Sequence, residues 1–287
     1  MKGIARIAVA AAFAALLGSF AGALHPLGDS LAVFRLAIAA TGLLLLPLAR
    51  PARVPALALG AGFLAGIVTV GWHKLPRAAP GPLTVYQKNM HFRDARIDEI
   101  ARDILATGPD IVTLQEVSLG NEALLDRLWE AYPAQHLCRY TPNSGLAVLS
   151  RLPAVGQPVC GESVALAAMR VMTAQGAVWA VSLHLAHPWP GTQRAQIDVL
   201  RHELPGVPGQ RVIGGDFNMI PWSHALRVAA LASGSRRAQP ARTSFRLGPV
   251  PLAIDHVLAP GGGRVQARPW LGGDHRGLFA RVHPMPE

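Results

Sequence analysis

The chain has 287 residues, of which 51% are hydrophobic and only 15% are charged, and its formal net charge is +10. About a quarter of the residues in a soluble domain are charged, so this composition indicates that apolar residues are concentrated in part of the chain. Seven of the 27 basic residues but only one of the 17 acids precede residue 79, which leaves a net charge of +4 for the rest. That excess is too small to indicate nucleic-acid binding by itself.

Three apolar segments lie in the first quarter of the chain. Residues 7–24 and 54–72 contain no charged residue, and residues 31–48 contain only Arg35. Each segment is close to the ~20 residues that a helix needs to cross a bilayer, so residues 1–74 are predicted to form about three transmembrane helices. The alternatives are a cleaved signal peptide for the first segment and a buried helical core for all three.

Basic residues flank these segments unevenly, which predicts the orientation. They precede the first segment and separate the second from the third, whereas residues 25–30 contain no Lys or Arg. The basic residues concerned are Lys2, Arg6, Arg50 and Arg53. By the positive-inside rule, everything after Trp72 is extracytoplasmic, and the protein is predicted to reside in the inner (plasma) membrane.

The rest of the chain is predicted to be one domain. Residues 75–82 contain three prolines, one glycine and no periodicity, which indicates a linker. Residues 83–287 are long enough for one sizeable core. The only cysteines of the chain, Cys138 and Cys160, are predicted to pair as a disulfide in an oxidising compartment. The alternative is two separate buried thiols.

Helix and strand patterns alternate along this domain, with hairpins in the middle. The predicted strands cover residues 83–88, 110–115, 135–140, 145–150, 165–173, 177–183 and 211–216, with short strands near Thr243, Ile254, Val265 and Phe279. The predicted helices cover residues 96–107, 121–132, 192–204 and 223–232. This order indicates an α/β fold with mixed sheets flanked by helices rather than a purely parallel sheet.

Polar side chains stand at or beside the predicted strand ends, where rigid scaffolds usually carry reactive groups. They are Asn89, Glu116, His184, Asp216, Asn218, Asp255, His256, Asp274 and His275. Each has an ordinary alternative as a cap, a turn or a surface acid. Together they supply the oxygen donors that suit a hard cation such as Mg²⁺. No CxxC, zinc-protease, Gly-x-Ser-x-Gly or phosphate-loop motif occurs, so zinc, serine-hydrolase and nucleoside-triphosphate sites are not indicated.

The segment GGDFN raises a geometric expectation. Alternation along an extended chain is expected to place Asp216 and Asn218 on one side of the strand. The two preceding glycines, Gly214 and Gly215, are expected to give a ligand room to approach.

Two other patterns have open interpretations. The basic cluster either follows a phosphate backbone or forms a solvated loop; it consists of Arg236, Arg237, Arg242 and Arg246. The spacing Gly62-x-x-x-Gly66 is compatible with helix association in a membrane, although such spacing is frequent by chance.

The segments DIVTLQE, VSLHL, GGDFN, IDHVL and GGDH, in this order after Asn89, resemble the endonuclease/exonuclease/phosphatase superfamily of metal-dependent phosphoesterases. With the three apolar segments, SGLAVLSRLP, SLHLAHPWP and GDFNMIPWS are similar to its bacterial membrane-anchored members. The resemblance implies a four-layer α/β/β/α sandwich of two mixed β-sheets. It also implies a Mg²⁺- or Mn²⁺-dependent enzyme that hydrolyses phosphodiester or phosphomonoester bonds by water attack.

The resemblance also implies roles for the polar residues. Asn89 and Glu116 match the positions that hold the divalent metal, and Asp274 is assigned to the metal with them. His184 matches the histidine that stabilises or protonates the leaving side. Asp216 and Asn218 match the pair that orients the attacking water and binds the scissile phosphate.

The C-terminal part of the pattern is less regular. Asp255 matches a supporting acid near the metal, and Asp274 with His275 match the carboxylate–histidine pair that closes the site. Gly273 and Gly277 stand where the superfamily usually has Ser and Pro, which leaves the geometry of this loop open.

The residues do not identify the substrate. Nucleic acid, a phospholipid headgroup and a small phosphoester remain alternatives, and so does a catalytically silent binding or envelope-organising module on the same fold. Trp189 and Trp222 beside the site either touch a membrane interface or pack as walls.

Overall fold

The computed structural model describes residues 2–93, 96–203 and 209–285. A helical region comes first: α1 (Lys2–Gly18), a 3₁₀ turn (Ala21–Ala23), α2 (Leu27–Val33), α3 (Arg35–Ala49) and α4 (Arg53–His73). No helix or strand occupies the predicted linker, because the next element begins at Leu83.

Helices α1, α3 and α4 pack on one another through apolar side chains such as Leu16, Ala39 and Phe63. Glycines allow this close approach. A Cβ atom at Gly62 would lie 2.6 Å from the Phe13 ring, and one at Gly66 would lie 2.8 Å from Leu16. The glycine pair of α4 therefore serves packing within this chain.

The helical region does not consist of the three straight membrane-spanning helices that the sequence predicts. Within the described residues, α4 is the one helix long and apolar enough to cross a membrane, and α2 with α3 makes a second only if this pair, bent by 68°, acts as one span. Helix α1 ends at Gly18, so the first predicted segment, residues 7–24, does not continue as one helix to its end. The second, residues 31–48, is broken at Phe34.

Polar contacts explain these breaks. The Arg35 guanidinium donates to the Ser19 hydroxyl at 3.0 Å and to the Ser19 carbonyl, which joins the end of α1 to the start of α3. A Cβ atom at Gly28 would lie 2.4 Å from the backbone of Gly22, so the intervening turn is tightly packed. Hydropathy alone does not reveal such contacts.

The second part of the chain contains fourteen strands and four helices in the described residues. The strands are β1 (Leu83–Asn89), β2 (Ile111–Val117), β3 (Ala134–Thr141), β4 (Ser144–Ser150), β5 (Val159–Cys160), β6 (Leu166–Thr173), β7 (Gly176–His184), β8 (Gln210–Asp216), β9 (Arg236–Arg237), β10 (Phe245–Leu247), β11 (Val250–Leu252), β12 (Asp255–Ala259), β13 (Gly263–Ala267) and β14 (Leu278–Val282). The helices are α5 (Ile97–Thr107), α6 (Ala123–Leu128), α7 (Gln193–Glu203) and α8 (His224–Ala232). The end of the predicted helix 192–204 lies outside the described residues.

Two six-stranded sheets form the body of this part, in the orders β13-β14-β1-β2-β4-β3 and β5-β6-β7-β8-β12-β9. Each sheet is mixed, because the β1–β2 and β7–β8 pairs are parallel whereas their other neighbours pair antiparallel. Because side chains alternate along β1, Val85 packs against the facing sheet and Tyr86 packs against α5. Helices α7 and α8 cover the other sheet. The predicted two mixed sheets with helices outside them are confirmed.

A disulfide joins the two sheets at one edge. Cys138 of β3 and Cys160 of β5 are bonded, with their Cα atoms 5.6 Å apart. The predicted pairing is therefore confirmed, and the alternative of two separate thiols is wrong.

Candidate active site

Four strand ends converge at one edge of the two sheets. In the first sheet, the parallel neighbours β1 and β2 end near Asn89 and Glu116. In the second, the parallel neighbours β7 and β8 end at His184 and Asp216, which lie directly opposite each other. Asp255 opens β12 and pairs with Asp216 on its other side. Because parallel strands end at the same sheet edge, these side chains form one group.

Asn89 connects the two sheets within this group. Its amide nitrogen donates to Glu116 Oε1 at 3.0 Å and to Asp216 Oδ2 at 3.0 Å. Its side-chain oxygen accepts from the backbone of His91 at 2.9 Å. This amide therefore fixes the spacing of two carboxylates that belong to different sheets.

Glu116 occupies a strained backbone position. Its φ is 55°, a region that non-glycine residues rarely adopt. A register shift between Leu114 and Val117 accompanies it, which turns the side chain at the end of β2. Glu116 Oε2 accepts from the Phe92 backbone at 3.1 Å. Such strain is typical of functional sites, where the surrounding structure maintains it.

His275 is oriented by Asp255. Its Nδ1–H donates to Asp255 Oδ2 at 2.8 Å, and its Nε2 lies 3.7 Å from Asp216 Oδ2. The other Asp255 oxygen accepts from Gln87 at 2.9 Å. The carboxylate that pairs with His275 is therefore Asp255 and not Asp274, and the predicted Asp274–His275 pair is wrong on this point.

Asp274 is exposed and lies next to His275, in the loop that contains Gly273 and Gly277. Gly273 has φ 56°, where glycine is favoured over serine. A Cβ atom at Gly277 would lie 2.7 Å from the Tyr86 hydroxyl, so a larger residue would collide there. The two departures from the superfamily pattern therefore fit the local backbone, and the metal role of Asp274 stays a prediction.

The buried charges of the group perturb one another. Burial, together with the negative charge of Asp255, raises the pKa of Asp216. Burial alone would also raise the pKa of Asp255, but the positive charge and hydrogen bond of His275 lower it. Burial opposes the charge of His275, yet Asp255 and Asp216 raise its pKa to about 10. At neutral pH, Asp255 is therefore ionised and His275 protonated.

Asn218 reaches the site by a turn instead of by strand alternation. Strand β8 ends at Asp216, and Asn218 has φ 48° with its backbone N–H donating to Asp216 Oδ1 at 2.8 Å. The expectation of an extended segment through residue 218 is therefore wrong. The Asn218 amide nitrogen and Asp216 Oδ2 each lie 3.5 Å from His184 Nε2, so all three residues still meet.

The glycines before Asp216 make room for protein atoms. A Cβ atom at Gly214 would lie 2.2 Å from Thr113 Oγ1 of the facing sheet, and one at Gly215 would lie 2.2 Å from the Leu183 carbonyl. The expectation that these glycines leave space for a ligand is therefore wrong. They let the two sheets and two neighbouring strands approach closely.

Several buried polar residues beneath the site were not predicted from the sequence. Gln87 donates to Gln115 at 2.8 Å, and Gln115 donates to the Ser182 hydroxyl at 2.9 Å. The backbone N–H of Asp255 donates to the Ser244 hydroxyl at 3.1 Å. Two of them could have been recognised in the sequence, because Gln87 and Gln115 interrupt apolar strands close to Asn89 and Glu116. They hold Asp255 and the two sheet edges in place.

His256, which the sequence placed among the polar residues, is turned away from the site. Its Nε2–H donates to the Met219 carbonyl at 2.7 Å, and its ring lies 5.7 Å from that of Phe217. It is a buried core histidine.

The donor chemistry of the group fits a hard divalent cation. Carboxylate oxygens of Asp216 and Asp255 lie within 4.8 Å of each other, and the Glu116 carboxylate joins them through the Asn89 amide nitrogen, which donates to both Glu116 and Asp216. Carboxylate and amide oxygens are the donors that Mg²⁺ and Mn²⁺ prefer. The grouping of His136 with Cys138 and Cys160 does not offer thiolates, because its sulfur atoms form the disulfide.

The residues of this site lie within a region that matches a known protein family. A family model described as "Endonuclease/Exonuclease/phosphatase family" matches residues 87–275, which include every site residue discussed above. No curated protein sequence is significantly similar to the chain.

Solved structures share the fold. Truncated TDP2 from Caenorhabditis elegans has a TM-score of 0.55 and 19% identity, over 69% of this chain and 96% of its own. Sphingomyelinase C from Streptomyces griseocarneus has a TM-score of 0.52 and 19% identity, over 70% of this chain and 99% of its own. A beta toxin double mutant from Staphylococcus aureus, with bound magnesium ions, has a TM-score of 0.55 and 14% identity, over 70% and 99%.

Proposed function

Because the chain belongs to the endonuclease/exonuclease/phosphatase family, we propose that it is a membrane-anchored phosphoesterase that requires Mg²⁺ or Mn²⁺ and hydrolyses phosphodiester or phosphomonoester bonds. The observation that carries this proposal is the convergence of Asp216, Asp255 and His275 at a sheet edge bordered by Asn89 and Glu116. A phosphoester needs a group that orients water, a source of positive charge and a proton donor, and this set together with His184, 3.5 Å from Asp216, contains all three.

The metal, when bound by Glu116 and Asn89 with Asp274, supplies charge neutralisation at the phosphate. The raised pKa of Asp216 suits it to accept a proton from the attacking water. Asn218, held by its bond to the Leu185 carbonyl at 2.8 Å, orients the phosphate.

Two histidines complete the proposed mechanism. His275 stays protonated because Asp255 holds it, and it stabilises negative charge on the phosphate from the side of Asp216. His184 is partly exposed, with 19% of its side chain accessible, and it donates a proton to the leaving oxygen.

Membrane anchoring is supported by the surface of the helical region. Large apolar side chains are mostly exposed there, including Ile4 (74%), Leu44 (78%), Val54 (77%) and Leu57 (72%). A water-soluble protein rarely exposes so large an apolar patch, whereas a bilayer would cover it.

A phospholipid headgroup is the substrate that the arrangement favours. The loop after His184 meets the helical region, since the Ser30 hydroxyl donates to the Trp189 carbonyl at 2.7 Å. The loop after Asn218 also meets it, since Trp222 Nε1 donates to the Ala32 carbonyl at 2.7 Å. Both site loops are therefore held against the proposed anchor, which keeps the site near the headgroups.

A substrate panel tests the proposed activity. The full chain in detergent is incubated with a generic phosphodiester, a phosphomonoester, DNA, RNA and phospholipids, with Mg²⁺ or Mn²⁺ and with chelator. We expect metal-dependent release of phospholipid headgroups and of the generic diester. Absence of turnover across the panel would instead support the catalytically silent alternative.

We also propose that the catalytic domain is extracytoplasmic. Lys2, Arg6, Arg50 and Arg53, on the two flanks that would be cytoplasmic, support this orientation, and so does the disulfide, because disulfides persist in oxidising compartments. A reporter that is active only in the periplasm, fused after the last residue, should be active. A well-expressed but inactive fusion would overturn the orientation.

A further inference from the structure

A basic cavity lies between the helical region and the catalytic domain, apart from the site described above. Its volume is about 540 Å³, which is within the range of roughly 300–1,000 Å³ for small-ligand sites. It lies between the ends of α1 and α4 on one side and α8 with β9 on the other. We call it the arginine cavity, after Arg35, Arg77, Arg227, Arg236 and Arg237 in its lining.

The positive charge of this cavity is not balanced. Asp29 is the only acid among the described residues that line it. Both Asp29 oxygens already accept hydrogen bonds from α8, from the His224 backbone at 2.7 Å and the Ala225 backbone at 2.9 Å. Neither Arg77 nor Arg236 forms an ion pair with a carboxylate in the described part of the chain.

The arginines also affect one another. Burial, together with the charge of Arg77, lowers the pKa of Arg237 to about 10. Arg77 and Arg236 line a second cavity of about 260 Å³ that adjoins the first and shares these residues with it. Several like charges around one cavity favour an anion, because an anion reduces their mutual repulsion.

The cavity lies where the membrane surface would be. Trp72, at the end of α4, and Phe20, just after α1, are 53% and 51% exposed. Each carries an arginine on its ring, with Arg77 4.1 Å from the Trp72 centroid and Arg35 3.8 Å from the Phe20 centroid. Aromatic rings at helix ends are typical of the membrane–water interface, and basic residues there attract anionic lipids.

We propose that the arginine cavity binds the phosphate of an anionic phospholipid headgroup. This inference rests on the membrane anchoring proposed above and is independent of the catalytic residues. It also gives a role to Arg236 and Arg237, which the sequence left between a nucleic-acid contact and a solvated loop. The bound lipid would couple the helical region to α8 and β9.

Lipid binding is measured on the full chain in a neutral detergent, with chelator present so that no metal-dependent turnover occurs. Phosphatidylglycerol, phosphatidylcholine and inorganic phosphate are titrated separately, and the bound fraction is read by native mass spectrometry. We expect saturable binding of phosphatidylglycerol, about fivefold or more tighter than that of phosphatidylcholine, and displacement of inorganic phosphate by it.

Variants locate the site. Arg77→Gln and Arg236→Gln remove exposed cations and should each weaken phosphatidylglycerol binding about fivefold, and Arg77→Lys should retain it. Arg170→Gln removes an equally exposed arginine from β6 and serves as the control. The proposal is overturned if the two glutamine variants bind as the control does, or if both lipids bind equally. Phosphate binding that phosphatidylglycerol does not displace would overturn the lipid assignment. Since chelator is present throughout, these outcomes are separate from any failure of the proposed catalysis.

Discussion

Glu116 places a carboxylate at the edge of the first sheet, where hydrogen bonds from the Asn89 amide and the Phe92 backbone hold it. We predict that Glu116→Gln, which keeps the shape but removes the charge, raises the Mg²⁺ concentration for half-maximal hydrolysis at least ~10-fold. Hydrolysis of a generic diester across a Mg²⁺ titration measures this. Glu130→Gln, on an exposed residue, is the matched control. An unchanged Mg²⁺ requirement in Glu116→Gln would remove Glu116 from the metal site.

His256 makes the fold sensitive to acid. Burial, with the charge of Arg237, lowers its pKa from the ordinary value of 6.5 to about 3. Between these values the unfolded chain binds a proton that the folded chain does not, so stability falls as the pH decreases below ~6.5. The contribution is about 1.4 kcal/mol per pH unit.

The variant His256→Gln tests this contribution, because glutamine stays neutral and keeps a donor for the Met219 carbonyl. We predict a smaller loss of unfolding free energy between pH ~6 and ~4 than in the wild type, measured by denaturant unfolding in detergent. His202→Gln, at an exposed histidine, should behave as the wild type. Equal pH slopes in all three proteins would show that His256 does not contribute.

The sequence located most site residues because polar side chains at the ends of apolar strands are conspicuous. It did not locate the partner of His275. Asp255 and Asp216 become neighbours only through the antiparallel register of β12 on β8, and Asp274 precedes His275 directly in the chain. The resemblance therefore suggested the wrong carboxylate, because the partner comes from a strand that is distant in the sequence. The turn that brings Asn218 to His184 also depends on a left-handed backbone that alternation does not anticipate.

Strand β8 shows how closely the two sheets approach. Alanine at Gly214 would place its Cβ 2.2 Å from Thr113 Oγ1 and 3.2 Å from Gln87 Cβ. We predict that Gly214→Ala lowers the free energy of unfolding by about 1–3 kcal/mol, because the buried side chains of β1 and β2 would have to shift. Denaturant unfolding measures this. Gly120→Ala is the control, since the nearest atom there is 3.6 Å away. Equal stability of the two variants would contradict the account of sheet packing.

The elements themselves were largely predictable. Periodicity of 2 and 3.6 residues located the strands and helices of the two sheets, because each element buries one face against a layer. The helical region was less predictable, because uniform hydropathy does not mark where a helix stops. The Arg35–Ser19 bonds and the glycine packing around Gly22 and Gly28 determine those ends, and both are tertiary contacts.

At the scale of the whole molecule, the helical region and the catalytic domain share an interface. Asp29 of α2 accepts from the first backbone N–H groups of α8, where a negative charge is favoured. Ala32 of α2 belongs to an apolar cluster with Ile220 and Ile254 of the catalytic domain. The helical region therefore supports the loop after Asn218, in addition to its proposed role as an anchor.

We predict that Asp29→Ala lowers the free energy of unfolding of the full chain by roughly 1–3 kcal/mol, because one buried and one partly buried N–H group lose a charged acceptor. Denaturant unfolding in detergent measures the loss. Asp198→Ala, at an acid of α7 whose side chain is half exposed and pairs with Arg194 on the surface, is the control and should cost less than ~0.5 kcal/mol. If Asp29→Ala is as stable as this control, the interface does not support α8.

Metal-dependent hydrolysis by the group around Asp216 is the core of the proposed function, and the rate at which the full chain hydrolyses a diester with Mg²⁺ is its decisive test. We predict that chelator abolishes the reaction and that Asp216→Asn lowers the rate ~10²- to 10³-fold, whereas Asp198→Asn leaves it unchanged. Hydrolysis that persists in chelator, or an Asp216→Asn variant as active as the wild type, would show that this group is not the active site.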